Sequence, residues 1–295
     1  MSHAPLVSDR QCGFILIFAI GVCLLLALVG ATMGRSVQAA LRSTSTVVEI
    51  AKARSLADGG VAVAGAMLQS GGGPADRICA VTGAGLIALT IEDEAGKVSL
   101  NGDNQALLSA LFAGLGASQE EAERYAAVIA DYRDADSNER PDGAEADAYR
   151  AAGMAGGPRN ANFDIVAELD RVLGIPAAIR SQAKPFLTAS TSARGVDSEV
   201  APQALIQLLS QGASGRSAAF GERRQLPASL SAVSSRNVYK VRAIGVTPQA
   251  RFVREAIVAR PPTPGEPVRM LSWHQGEVTR DDEVRLHEAD AAPEC

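Results

Sequence analysis

Apolar residues dominate the start of the chain. From Gln11 to Gly34 no residue is charged, and Phe14–Met33 is almost wholly apolar. A helix needs about 20 such residues to cross a bilayer core. The pattern predicts a transmembrane helix over 14–34, flanked by Arg10 and Arg35. A cleaved secretory signal has a shorter apolar core and an A-x-A-like end, whereas this run closes on Ala31-Thr-Met-Gly34. Helical spacing then continues through Val47, Val48, Ile50, Leu56, Val61, Met67 and Leu68, and no proline interrupts it before Pro74. One helix over 14–70 is expected, greasy all round in its first half and amphipathic in its second. Gly59-Gly60 is expected to weaken or bend it.

Beyond Gly71-Gly-Gly-Pro74 the period changes. Residues 85–92 and 97–100 read as strands. Leu107, Leu108, Leu111, Phe112 and Leu115 then return at helical spacing and stop at Gly116. Ser118 with Glu121 forms a capping box for a second helix carrying Ala122, Tyr125, Ile129 and Tyr132. A third helix is expected over 163–173, a fourth from Pro176 and a fifth over 202–209. Residues 211–236 are rich in Gly, Ser and Arg and read as a flexible connection. Strands come back at 239–246, 251–259 and 268–273. The domain plan is 1–13 as a leader, 14–70 as the long helix, 71–100 as the first part of an α/β unit and 101–210 as a helical insertion. The flexible connection follows at 211–236, then the remaining strands at 237–276 and a disordered tail at 277–295.

Charge sharpens the end of this picture. The 295 residues carry a formal net charge of −5. The segment Glu277–Cys295 holds seven acids against two arginines, so the body of the chain is close to neutral. That is a poor electrostatic footprint for nucleic acid. Of the four cysteines, Cys12 and Cys23 lie in or beside the apolar run, while Cys79 and Cys295 lie beyond it. Cys79 and Cys295 either pair, if that part is extracytoplasmic, or remain thiols. No CxxC or Cys/His cluster points to zinc.

One cluster carries candidate chemistry. Within Asp134-Ala-Asp-Ser-Asn-Glu-Arg-Pro-Asp-Gly-Ala-Glu145, the residues Asp134, Asp136, Asn138, Arg140, Asp142 and Glu145 fall at positions one, three, five, seven, nine and twelve. Those are the spacings of an EF-hand calcium loop, with Arg140 offering its carbonyl. Glu139 stands where the loop needs glycine and Pro141 at position eight, so the loop is no true EF-hand. Hard oxygen donors still favour calcium over a transition metal. The other reading is a solvated acidic turn. Asp131 is a further candidate ligand. The three histidines, His3, His274 and His287, have no metal-ligand spacing, and no GxSxG, Walker A or HExxH sequence occurs. The chain reads as no enzyme.

The leader ending Arg10-Gln-Cys-Gly13, followed by Phe14 and the apolar run, resembles the site cut and methylated by prepilin peptidase. On that resemblance Gly13 is the last leader residue and Phe14 the first mature one. Phe18 stands where most pilins carry glutamate. A buried carboxylate there pairs with the amine of a neighbouring subunit, so a subunit at the filament end can lack it. Four further phrases, Glu92–Asn101, Asp131–Asp136, Pro141–Glu145 and Gly157–Asn160, together with the strands ending at Trp273, resemble the K-type minor pseudopilins of type II secretion systems. That resemblance implies an α+β, pilin-like fold: a long N-terminal helix and a small antiparallel sheet, with a large all-helical insertion of SAM-like or helix-hairpin-helix-like kind. It implies a single-pass inner-membrane protein with a periplasmic soluble domain, at the tip of a pseudopilus that supports export of folded proteins. Its expected partners are the I-, J- and H-type minor pseudopilins, the major pseudopilin, prepilin peptidase and the inner membrane, with no nucleic acid. It also implies structural calcium in the helical region.

A different class of function is open at this stage. Leu100–Gly116 and Asp164–Ile175 resemble helix-hairpin-helix modules, as in membrane-anchored DNA uptake receptors. Such modules grip phosphate with basic residues. Here the neighbourhood is acidic, which favours a packing domain.

Overall fold

The structure is a computed structural model describing residues 10–214, 226–263, 265–287 and 293–295. The side chains at 10–15, 30–44 and 214 lie outside that description. Helix α1 spans Arg10–Gln69 without a break. Strands β1 (Ala75–Val81) and β2 (Gly85–Asp93) follow, then β3 (Val98–Ser99). The insertion holds α2 (Gln105–Gly114), α3 (Gln119–Arg133), α4 (Ala146–Ala151), a 3-10 helix (Val166–Arg171), α5 (Ala177–Ala183), β4 (Leu187–Thr188) and α6 (Gln203–Ser214). Strands β5 (Val238–Val246), β6 (Arg251–Ala259) and β7 (Arg269–Gly276) complete the sheet, and α7 (Arg280–His287) is the last described helix.

Among the described residues the main sheet has five strands in the order β1-β2-β5-β6-β7, every neighbour antiparallel. The insertion therefore enters between two strands that are hydrogen-bonded neighbours, with Asp93 of β2 opposite Tyr239 of β5. This is the expected fold class: a helix on a small antiparallel sheet with a helical insertion.

One face of the sheet receives α1. Leu56, Val61, Ala64 and Leu68 pack on Ile87, Leu89, Ile91, Val241, Ala243, Ala256 and Val258. Each wholly buried leucine contributes on the order of 2 kcal/mol. The expected bend at Gly59-Gly60 is not what the glycine provides. A Cβ on Gly60 would stand 2.9 Å from both Ala243 Cβ and Ile87 Cγ2, and one on Gly245 would stand 1.9 Å from Ala53 O. Glycine lets the helix axis sit close to the sheet.

The other face is covered by α7, whose Leu286 joins Ala88, Ile244 and Val253. The tail expected to be disordered from Glu277 thus holds a helix. Its acids have partners: Asp282 Oδ2 accepts from the Thr279 N–H at 2.7 Å and from Arg242 Nη2 at 2.5 Å. Farther on, Cys79 and Cys295 form a disulfide. The last residues lie along β1, with the Ala80 N–H donating to Pro293 O at 2.7 Å and the Cys295 N–H to Ala80 O at 2.9 Å. A crosslink spanning 216 residues restricts the unfolded chain by about 5 kcal/mol in the chain-entropy account.

The single-pass inner-membrane topology with a periplasmic domain, and its span at 14–34, are corrected: among the described residues no helix is long and apolar enough to cross a membrane.

The insertion has its own core, which includes Leu107, Leu111, Phe112, Tyr125, Ile129, Tyr132, Phe163, Leu169, Leu205 and Leu209. The capping box at the start of α3 is formed, Ser118 Oγ accepting from the Glu121 N–H and Glu121 Oε2 from the Ser118 N–H. Helices α2 and α6 cross at glycines: a Cβ on Gly114 would stand 2.2 Å from Leu208 O, and one on Gly212 1.8 Å from Ala110 O. The helix expected over 163–173 is only the 3-10 turn at 166–171, bounded by extended backbone at Ile165 and Val172. Residues 226–236, expected as part of the flexible connection, are packed: Leu230 is buried and Arg236 is paired with Asp197. Residues 215–225 lie outside the description.

Candidate functional site

The acidic loop sits where α3 ends, on the surface of the insertion core. Asp131, on the last turn of α3, is fully buried. Its Oδ2 accepts from the Arg140 N–H at 3.2 Å and the Ala144 N–H at 2.9 Å, and its Oδ1 from Arg140 Nη1 at 2.6 Å. The loop therefore folds back around Asp131. Gly143 is needed for that return, since a Cβ there would stand 1.9 Å from Asp131 Oδ2.

Asp134 leaves α3 in extended backbone, and its Oδ2 accepts from the same Arg140 Nη1. Hydrogen bonds to both carboxylates hold the Arg140 pKa above its ordinary value. Asp136 Oδ1 accepts from the Asn138 N–H at 2.8 Å, an Asx turn at the exposed tip. Asp142 has φ +61 and is exposed. The expected ligand set is thus only partly gathered: Asp131, Asp134 and Glu145 share one side of the loop, and Asp142 faces away.

Glu145 is the least satisfied group. It precedes α4, is 5% exposed, and neither Oε finds a hydrogen-bond donor. Burial raises its pKa first, and the charges of Asp131, Asp134 and Asp136 raise it further. The Ala146 N–H opposes that rise without closing a hydrogen bond. Asp134 Oδ1 and Asn160 Oδ1 are also buried without a donor.

Asn160 is the residue that spacing missed. It holds φ +52, its N–H donates to Tyr132 O at 3.0 Å, and its Nδ2 donates to Asp136 O at 3.2 Å. Its signal was the phrase Gly157-Pro-Arg-Asn160, read only as family likeness.

Among the described residues, no three His, Cys, Asp or Glu side chains converge tightly enough to hold an ion. The guanidinium of Arg140 stands between Asp131 and Asp134 instead. The donor chemistry nonetheless fits a hard cation. Four oxygens on Glu145, Asp134 and Asn160 are buried and unsatisfied, which is costly unless something else binds them, and all are of the kind calcium takes.

The remaining candidates separate cleanly. Gly13 and Phe14 lie on α1, with side chains outside the described residues. Phe18 is exposed on α1. The turn between α2 and α3 is followed by Glu120, Glu121 and Glu123 rather than basic residues, and the second helix-hairpin-helix candidate begins with the 3-10 turn. Neither feature supports phosphate binding.

Residues 86–192 match the family described as type II secretion system (T2SS), protein K. The fold is similar to the crystal structure of the GspK-GspI-GspJ complex from the enterotoxigenic Escherichia coli type 2 secretion system. The TM-score is 0.55 at 16% identity, over 84% of this chain and 99% of that one. At that identity the likeness is one of fold. Comparison with curated protein sequences gave no match. The family match takes in β2, the entry into the insertion and the whole acidic loop, and over that stretch the chain is similar to the type II secretion system protein K family.

Proposed function

We propose that this chain forms the tip of a type II secretion pseudopilus, joined there to I- and J-type subunits, with H-type and major pseudopilins continuing the filament below. On the family match it acts as a minor pseudopilin, a structural component of the secretion machinery and not an enzyme. The observation that carries the tip reading is the family match over 86–192, which contains most of the bulky insertion. An insertion of that size suits a filament end, where nothing has to stack above it. Exposed apolar residues on α1 support assembly. Val47, Val48, Ile50 and Val63 are exposed, apolar surface of the kind that neighbouring helices cover. The solved E. coli relative is itself a complex with GspI and GspJ. Cleavage after Gly13 by prepilin peptidase, leaving a methylated Phe14, completes the subunit before assembly.

We also propose that calcium is the structural ion of the acidic loop, held by Glu145, Asp134 and Asp131, with Asn160 adding an oxygen and Asp136 adding charge. Bound there, it would supply the positive charge that the buried carboxylates lack.

The functional reading is tested by deleting the gene and measuring an exported protein in the medium. Export should fall to background and return with the wild-type chain, but not with Val48→Glu/Ile50→Glu. Undiminished export in the deletion strain would remove the reading.

A further inference from the structure

A half-satisfied cluster has an arginine in its middle. Arg140 Nη1 donates to Asp131 Oδ1 at 2.6 Å and also to Asp134 Oδ2. Its side chain is 38% exposed, so it reaches the cluster from the solvent side, on a loop that is not part of any helix. Its backbone is fixed independently, by its N–H on Asp131 and by its carbonyl, which accepts from the Gly143 N–H at 2.9 Å. The guanidinium can therefore swing away while the loop stays closed. Glu145, 5% exposed, remains without a donor on either oxygen, as does Asp134 Oδ1.

A guanidinium and a calcium ion solve the same electrostatic problem differently. The guanidinium carries one charge and donates in a fixed planar fork, so it serves the carboxylates in its plane and leaves the rest. Calcium carries two charges, takes six to eight oxygens, and has loose angular demands. It can reach the oxygens that Arg140 leaves unserved. It cannot do so while Arg140 holds Asp131 Oδ1 and Asp134 Oδ2, because the two cations would share those carboxylates at contact distance.

We propose that Arg140 is a tethered counter-cation: it neutralises the Asp131–Asp134 pair in the calcium-free chain, must withdraw for calcium to enter, and so sets the calcium concentration at which the loop changes state. This rests on the calcium reading of the loop. Arg140 is a positioning and competing group, not a ligand. Its carbonyl, which the EF-hand spacing casts as a ligand, is engaged by Gly143.

The test uses the full chain, calcium chloride as titrant, magnesium chloride as a parallel probe, and thermal melts in chelator. Wild type, Arg140→Gln, Arg140→Lys and Glu145→Gln are compared by titration calorimetry. In chelator, Arg140→Gln should melt lower than wild type, because two carboxylates lose their counter-charge. In the titration it should bind calcium about tenfold more tightly, with Arg140→Lys between the two, since lysine keeps the charge but not the fork. Glu145→Gln should lose most of the binding. Equal or weaker calcium affinity in both Arg140 variants, with wild type binding normally, overturns the proposal and leaves the calcium reading standing. Absence of calcium binding in wild type and both Arg140 variants overturns both. If Arg140→Gln fails to fold, Arg140→Lys decides by the same comparison.

Discussion

Asp58 on α1 accepts a 2.7 Å hydrogen bond from Arg254 Nε on β6, and that arginine is only 6% exposed on its side chain. The guanidinium also lies 5.0 Å from the Phe252 ring centroid and 4.9 Å from that of Trp273. Asp58 is 36% exposed and keeps access to water. The two partners are therefore not equivalent. Asp58→Ala should cost about 2–3 kcal/mol, because it strands a buried charge. Arg254→Met should cost less, because the freed carboxylate is hydrated and methionine packs between the rings. Urea unfolding of the two variants measures the difference, and an Arg254→Met cost equal to or above that of Asp58→Ala contradicts it.

The adjacent glycines of α1 make a sharper pair. A Cβ on Gly59 meets nothing within 4 Å, whereas one on Gly60 meets Ala243 and Ile87 at 2.9 Å. Gly59→Ala should stabilise by about 0.5–1 kcal/mol through helix propensity. Gly60→Ala should destabilise by about 1–3 kcal/mol through overpacking. Thermal melts of both variants check the signs.

Asp197 ties the insertion to the segment that leads into β5. Its carboxylate accepts from Arg236 Nε at 2.8 Å and Nη2 at 3.1 Å, and from the Glu199 N–H at 3.1 Å. The hydrogen bond from Arg236 is the largest influence and holds the Asp197 pKa below the ordinary carboxylate range. A depressed acid contributes stability that is present above its unfolded pKa of about 3.9 and is lost as pH falls through the folded value. Asp197→Asn should therefore destabilise the chain at pH 7, by roughly 1–3 kcal/mol, and the gap to wild type should shrink as the pH drops below about 4. Denaturant melts at pH 7 and pH 3 test this, and a gap that widens in acid contradicts it.

Much of the fold was legible because single residues carry local rules. Ser118 with Glu121 marked a helix start, and Gly116 marked the stop before it. The strands at 85–92, 239–246 and 251–259 were readable from alternation and β-branching, and their return after the insertion gave the fold class. What failed was non-local. Gly60 in a helix reads as weakness until Ala243 is seen against it. The acids after Glu277 read as a solvated tail, because nothing near them in sequence shows that Arg242 of β5 donates to Asp282 of α7. The pairing of Cys79 with Cys295 was one of two open alternatives, and only the run of Pro293–Cys295 along β1 brings the thiols together.

The candidate site was half legible for the same reason. Spacing found Asp134 and Glu145, which lie on the inner side of the loop, but it also chose Asp142, which a left-handed backbone turns outward. It read Arg140 as a carbonyl donor, while the side chain went to Asp131 and Asp134. Asn160 comes from a separate segment and no spacing rule reaches it.

Tip function requires assembly through α1. The direct measurement is co-purification of the tagged full chain with the proposed I- and J-type partners, in wild type and in Val48→Glu/Ile50→Glu. The prediction is that the wild-type chain retains both partners in one complex and that the double variant, still folded by its thermal melt, loses them. Failure of the wild-type chain to retain either partner, with or without calcium, would contradict it.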